Sequence, residues 1–474
     1  MSTKNQIKVD ETQVEEMSKE LLISRKNGFN EVTDEEIAKA DAFCEGYKTF
    51  LDLSKTEREA VEFGIAQAEK AGFVEFEYGK TYQAGEKVYY NNRGKALILA
   101  VIGEDGCQDG VRIAAAHIDS PRLDLKPYPL YEANEMVLFK THYYGGIKKY
   151  QWTTIPLAMH GRIVRRDGTY VDIRLGEEPG EPQFCVTDLL PHLGAEQMTK
   201  TLAKAIEGEN LNVLIGSRPV RAEKGSNLFK LNIMKLIHEK YNIVEEDFVS
   251  GEIEFVPAFK AADVGFDASM IGGYGHDDRV CAYPAIEAIL HCGTPKHTVL
   301  TVLADKEEVG SDGNTGMNSA FLRYFIGDLA KMEGLDPHIV MTKSKCLSAD
   351  VTAAFDPTYA SAYEPTNSCY LNNGVGVMKY TGSRGKSGTS DASAEFMAEV
   401  RRLLDGNNIL WQTGELGKVD GGGGGTVAMY IANLNIDVVD MGVPVISMHS
   451  PFEVVAKLDV YMAYRAFKAF FEDK

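Results

Sequence analysis

Four apolar runs in this chain stop at residues of the types that bind metal ions. Ile113-Ala114-Ala115-Ala116 ends in His117, with Asp119 just beyond. The run from Val299 to Ala304 ends in Asp305, and Glu307-Glu308 follow. Leu347-Ser348-Ala349 ends in Asp350, and Val445-Ile446-Ser447-Met448 ends in His449. A fifth group, His276-Asp277-Asp278, stands just before a helical segment. Imidazole nitrogen and carboxylate oxygen both hold Zn²⁺ at about 2.0–2.2 Å. A pair of divalent ions ~3.5–4 Å apart needs a bridging anion and several carboxylates to offset its charge. Asp277, Glu308 and Asp350 offer that charge, and Glu307 beside them is free to move protons. Taken singly, each element has a structural reading. A His-x-Asp is also a hydrogen-bonded pair, Glu-Glu a solvated helix start, and Asp277-Asp278-Arg279 a helix cap. Their joint occurrence at strand exits and helix entries is what points to a pair of divalent ions.

The elements that must deliver these residues are readable from pattern. Residues up to about 75 read as helical. Thr33 with Glu36 forms one capping box, and Ser54 with Glu57 marks a second helix start. Short strand-like runs follow at Val88-Tyr89-Tyr90, Ala96 to Ile102 and Val111 to Ala116. From about Leu123 to Glu254 the texture is β-rich, with turns at Gly145-Gly146, Asp167-Gly168 and Pro179-Gly180 and a helix or two, one around Gln197 to Ile206. After Phe259, helices at Arg279 to His291, Met317 to Met332, Ser390 to Asp405 and Ala456 to Phe471 alternate with strands at His297 to Ala304, Cys346 to Ala349 and Val443 to Met448. Such alternation predicts an α/β fold with a mostly parallel sheet, whose ligands gather beyond the carboxyl ends of the strands. The expected organisation is a discontinuous catalytic domain, 1–121 and 255–474, split by an inserted β-rich domain, 122–254.

Composition narrows the class. The chain has 474 residues and a formal charge of -19, which argues against a nucleic-acid backbone as the main partner. Seven scattered cysteines with no CxxC pair fit a reducing compartment rather than a disulfide framework. Met1 to Gln13 is polar, without the apolar core of a signal peptide, and no apolar run approaches the ~18 residues that span a bilayer. A cytoplasmic protein with no membrane partner is expected. His-Glu-x-x-His is absent, since His238-Glu239 is followed by Lys240-Tyr241-Asn242. Gly385-Lys386-Ser387 lacks the earlier glycine of a phosphate-binding loop, because position 380 is Tyr. The histidines His142, His160, His291, His297 and His338 read as structural.

The motifs together resemble the M18 metallopeptidases, the family of aspartyl aminopeptidase, along nearly the whole chain. The matching segments are His117-Ile118-Asp119-Ser120-Pro121 with Lys126-Pro127, Tyr144-Gly145-Gly146, and Gly275-His276-Asp277-Asp278-Arg279. They continue with Glu307-Glu308-Val309-Gly310-Ser311, Ser348-Ala349-Asp350-Val351, and His449-Ser450 with Glu453. The resemblance implies a metal-dependent aminopeptidase that removes N-terminal residues from peptides. It implies His117, Asp277, Glu308, Asp350 and His449 as ligands of two divalent ions, zinc first with cobalt or manganese as alternatives. Asp277 would bridge, Glu307 would be the general base, and Asp119 would orient His117. It also implies a homododecamer built from dimers through the inserted domain. Lys379, in Val375-Gly376-Val377-Met378-Lys379, matches a basic position of the side-chain pocket in aspartyl-preferring members, and suggests a preference for acidic N-terminal residues. His192, in Pro191-His192-Leu193, resembles a segment that reaches a neighbour's active site.

The chain departs from the family pattern at Ser383-Arg384-Gly385-Lys386-Ser387-Gly388, at Gly421 to Gly425, and after Asp350, where no histidine follows. Rival readings are an M42- or M20-type metallohydrolase and a catalytically silent oligomeric scaffold. Glu307 beside Glu308 weighs against the scaffold, because a structural site needs no free base.

Overall fold

The computed structural model describes residues 10–23 and 25–474. Residues 1–9, most of the polar leader considered above, lie outside the described residues. The largest sheet has nine strands. Its centre is four parallel neighbours, in the order Val299–Ala304, Arg112–His117, Lys345–Ser348 and Asp437–Gly442. The middles of these strands are largely apolar because both faces of the sheet are covered. Alternate residues serve two separate cores: Ala114, Ala116, Val299 and Leu303 pack on one side. Ile113, Ala115, Leu300 and Val302 pack on the other. Helices His276–Leu290 and Lys457–Glu472 cover the first side, and Phe321–Met332 and Pro337–Lys343 the second.

A second, antiparallel sheet of seven strands carries its own core around Phe139, Trp152, Phe248 and Phe255. Its longest hairpin pairs Arg122–Ala133 with Met136–Tyr144. A third sheet of five strands joins Met270–Gly273, Glu453–Ala456 and Pro444–Ile446.

Several sequence expectations need correction. The capping box at Thr33 and Glu36 is present, but the next helix, Glu57–Lys70, is capped by Thr56 with Glu59, not by Ser54 with Glu57. Ser54 instead ends the preceding helix, and its buried hydroxyl has no hydrogen-bond partner. The helix expected around Gln197 to Ile206 is two short pieces, Ala195–Thr199 and Leu202–Ala205. The long helix of this region is Leu228–Tyr241, whose N-terminal Asn227 makes no side-chain capping bond, so no capping signal announced it. The strand leading to His449 is short, Pro444–Ile446, and belongs to the third sheet rather than to the parallel one.

Candidate metal centre

The register of the parallel strands assembles the first half of the site. Ala304 lies opposite His117, and Ser348 opposite Ala115. His117 therefore leaves the sheet between the Asp305-to-Glu308 segment and Asp350. Asp277 arrives from the entry of the helix His276–Leu290, where Asp277 and Asp278 have non-helical backbone. His449 comes from the loop before Glu453–Ala456, with φ of 62°.

The five expected ligands converge. His117 Nε2 is 3.0 Å from Asp277 Oδ1, and His449 Nε2 is 3.2 Å from Asp277 Oδ2. Asp350 Oδ1 is 3.9 Å from His117 Nε2, and Glu308 Oε2 is 3.7 Å from His449 Nε2. Asp277 thus turns one oxygen to each imidazole. Glu307 reaches within 3.8 Å of His117 Nε2. Asp277, Glu307, Glu308, Asp350 and His449 line a cavity of about 330 Å³, whose wall also includes Val351, Met378, Leu416, Met448 and the glycines Gly423 to Gly425.

The electrostatics fit a cationic occupant. Burial pushes the Glu308 and Asp350 carboxyls well above the ordinary carboxylate range, reinforced by Asp277 and by Glu307 respectively. Burial pushes Glu307 up to about 7. At His449, burial would favour the neutral ring, but Asp277 and Glu308 outweigh it and raise the imidazole to about 10. A cluster of carboxylates removed from water is costly unless positive charge is supplied. In addition, Glu308 Oε1 is buried without a hydrogen-bond partner. The set of two imidazoles and several carboxylates is the donor chemistry of zinc, so the residues present fit the ions that the sequence implies.

The surrounding groups hold this set in place. Asp119 is fully buried, and its carboxylate accepts the backbone N–H groups of Glu307 and Glu308 at 3.1 and 3.2 Å. His117 Nδ1 lies 3.0 Å from the Asp119 carbonyl and 3.3 Å from its Oδ1. Glu453 accepts the N–H of Asp277 at 3.1 Å and that of His449 at 2.6 Å, tying two ligand segments together. Ser120 Oγ donates to the Asp277 carbonyl at 2.6 Å. Asp278 accepts the His117 N–H at 3.3 Å, and its carboxylate also comes within ligand range of His117 and Asp350. The sequence motifs contained Glu453 and Asp278, but nothing in their spacing announced these contacts, which join segments far apart in the chain.

Two expected substrate residues stand apart. Lys379 does not line the cavity; its ammonium pairs with Asp391, which also pairs with Lys386. His192 is exposed on a turn of the second-sheet region, among the exposed Leu189, Leu190 and Leu193.

The family model described as aminopeptidase I zinc metalloprotease (M18) matches residues 50–471. The chain belongs to the M18 peptidase family. It is similar to the probable M18 family aminopeptidase 1 of Clostridium acetobutylicum, at 49% identity over 96% of this chain and 99% of that one. The solved structure of an M18 family aminopeptidase from Thermotoga maritima superposes with a TM-score of 0.91 at 42% identity, covering 95% of this chain and 100% of its own. That of aminopeptidase I from Clostridium acetobutylicum gives 0.90 at 46% identity, covering 96% and 100%. This M18 peptidase is accordingly a metallo-aminopeptidase with a mixed α/β catalytic sheet, and its family is one of zinc enzymes. Among the described residues, no helix is long and apolar enough to cross a membrane.

Proposed function

We propose that this M18 peptidase removes N-terminal amino acids at a two-zinc centre. His117 and Asp350 would hold one ion and His449 and Glu308 the other, with Asp277 placed to serve both. The observation that carries this reading is the division of the Asp277 oxygens, Oδ1 toward His117 at 3.0 Å and Oδ2 toward His449 at 3.2 Å. When bound, such a pair polarises a carbonyl and lowers the pKa of water. Glu307, beside the ligands and open to the cavity, takes the proton from the attacking water and delivers it to the leaving amine. Asp119 fixes His117 and the Glu307-Glu308 turn.

The apolar wall of Val351, Met378, Leu416 and Met448 supports a neutral N-terminal side chain rather than an acidic one, since among the described residues no lysine or arginine lines the cavity. Residues 1–121 and 255–474 form the catalytic unit, and 122–254 the inserted unit through which dimers assemble into a homododecamer. The exposed apolar side chains Leu189, Leu190, Leu193, Met198 and Leu202 support an interface there. His192 stands among them as a contact made in trans.

The direct test is metal analysis of the purified chain with a panel of aminoacyl substrates. Two zinc equivalents per 52.2 kDa chain and faster turnover of leucyl than aspartyl substrates are expected. A metal-free but fully active enzyme would overturn the reading.

A further inference from the structure

The Tyr144-Gly145-Gly146 segment lies at the end of the second sheet's strand Met136–Tyr144, outside the elements that carry the ligands. All three of its residues nevertheless meet the metal centre. The Tyr144 hydroxyl donates to Asp119 Oδ2 at 2.7 Å. That same oxygen accepts the backbone N–H of Glu308 at 3.2 Å. Gly145 has a φ of 75°, and a Cβ placed there would lie 3.0 Å from Glu308 Oε2. The Gly146 carbonyl is 2.8 Å from His449 Nδ1. With Nδ1–H donated to that carbonyl, Nε2 is the nitrogen that would hold an ion.

The Tyr144 ring is itself held. The Arg122 guanidinium stacks on it at 4.0 Å and pairs with Glu57 at 3.1 Å and Asp124 at 2.8 Å. Glu57 belongs to the helix Glu57–Lys70, which packs on the catalytic sheet. The segment is therefore braced from both sheets and cannot drift without disturbing Asp119.

We propose that Tyr144 and Gly146 are positioning residues that clamp the metal centre from the second sheet, Tyr144 through Asp119 and Gly146 through His449, so that docking of this sheet sets metal affinity. Gly145 is the residue type that lets the segment approach Glu308 so closely. The inference rests on the ligand set proposed above.

The test is equilibrium zinc binding by chelator competition, on full-length protein, for Tyr144→Phe, Asp119→Asn and the double variant. Tyr144→Phe keeps the ring over Arg122 and removes only the hydroxyl. Its zinc affinity is expected to fall about 10–100-fold, the usual cost of losing a partner that orients a ligand, with the melting temperature of the zinc-free protein unchanged. Tyr143→Phe, on the neighbouring tyrosine, is expected to bind zinc as wild type does. In the Asp119→Asn background Tyr144→Phe is expected to add nothing further, because the two act as one unit. Wild-type affinity in Tyr144→Phe overturns the clamp. So does a loss that adds in full to that of Asp119→Asn, or one that merely follows a lowered melting temperature of the zinc-free protein. His117→Ala separates the two possible failures. If it keeps wild-type affinity, the ligand set is wrong; if it loses zinc while Tyr144→Phe does not, only the clamp is wrong.

Discussion

Glu307 and Glu308 are neighbours in the chain whose carboxylates face different surroundings. The Glu307 side chain is 18% exposed, with Oε2 3.8 Å from His117. That of Glu308 is 2% exposed, with Oε2 3.7 Å from His449. Both backbone N–H groups are held by the one carboxylate of Asp119. A single turn thereby presents two carboxylates to the same cavity, one near His117 and partly exposed, the other near His449 and almost fully buried. That difference supports the proposed split of roles, Glu308 holding a metal and Glu307 moving a proton.

If Asp277 bridges, the two ions share its charge and Asp277→Asn weakens both sites together. Zinc titration of this variant is expected to show both equivalents shifted to weaker binding. One site left at wild-type affinity would show that Asp277 serves a single ion.

If the cavity wall sets the side-chain preference, Lys379, already paired with Asp391, has no part in it. Lys379→Met is therefore expected to leave the ratio of kcat/KM for leucyl and aspartyl substrates unchanged. A selective loss on aspartyl substrates would restore Lys379 to the pocket.

His160 makes stability depend on pH. It is fully buried, 2.8 Å from Glu59 and 3.2 Å from Glu177. Burial disfavours its charged form, but the two carboxylates outweigh it and raise its pKa above 6.5. A raised pKa contributes stability that is complete below the unfolded value of about 6.5 and is lost as pH rises through the folded value. Urea midpoints at pH 6 and pH 8.5 are expected to differ less in His160→Gln than in wild type. Equal differences in the two proteins would refute a charged His160. Glu177 acts in the opposite direction. Burial raises its pKa, but His160 and Lys55 outweigh it and hold it at about 2. Its contribution is present above the unfolded value of about 4.5 and fails as pH falls toward 2.

Helix capping gives a test independent of catalysis. Thr56 Oγ1 accepts the Glu59 N–H at 3.3 Å, and Glu59 Oε2 accepts the Thr56 N–H at 3.1 Å. Thr56→Ala is expected to cost about 1 kcal/mol. Ser54→Ala removes a buried hydroxyl that bonds nothing, and is expected to leave the melting temperature unchanged. The reverse ranking would return the cap to Ser54.

What the sequence reveals here is what lies within one segment. The unbroken runs before His117, Asp305 and Asp350 are central parallel strands, legible because double-sided burial leaves no polar alternation. His449 is legible as a residue type, but its strand pairs in the third sheet rather than the parallel one, since apolar content does not name a partner strand. Ser54 and Thr56 both satisfy a capping pattern, and only the backbone decides between them. Tyr144 on Asp119 and Glu453 on both Asp277 and His449 join residues far apart in the chain, so no local spacing could signal them.

The most direct test of the account is zinc content measured beside kcat for Glu307→Gln and Glu308→Ala. Glu307→Gln keeps the size of the side chain and loses its ability to accept a proton. It is expected to retain both zinc equivalents while kcat falls by ~10²–10⁴-fold or more with KM little changed. Glu308→Ala removes a buried anion from the ligand cluster and is expected to lose zinc. Zinc lost from Glu307→Gln and kept in Glu308→Ala would reverse the two roles, and a fully active Glu307→Gln would contradict the mechanism itself.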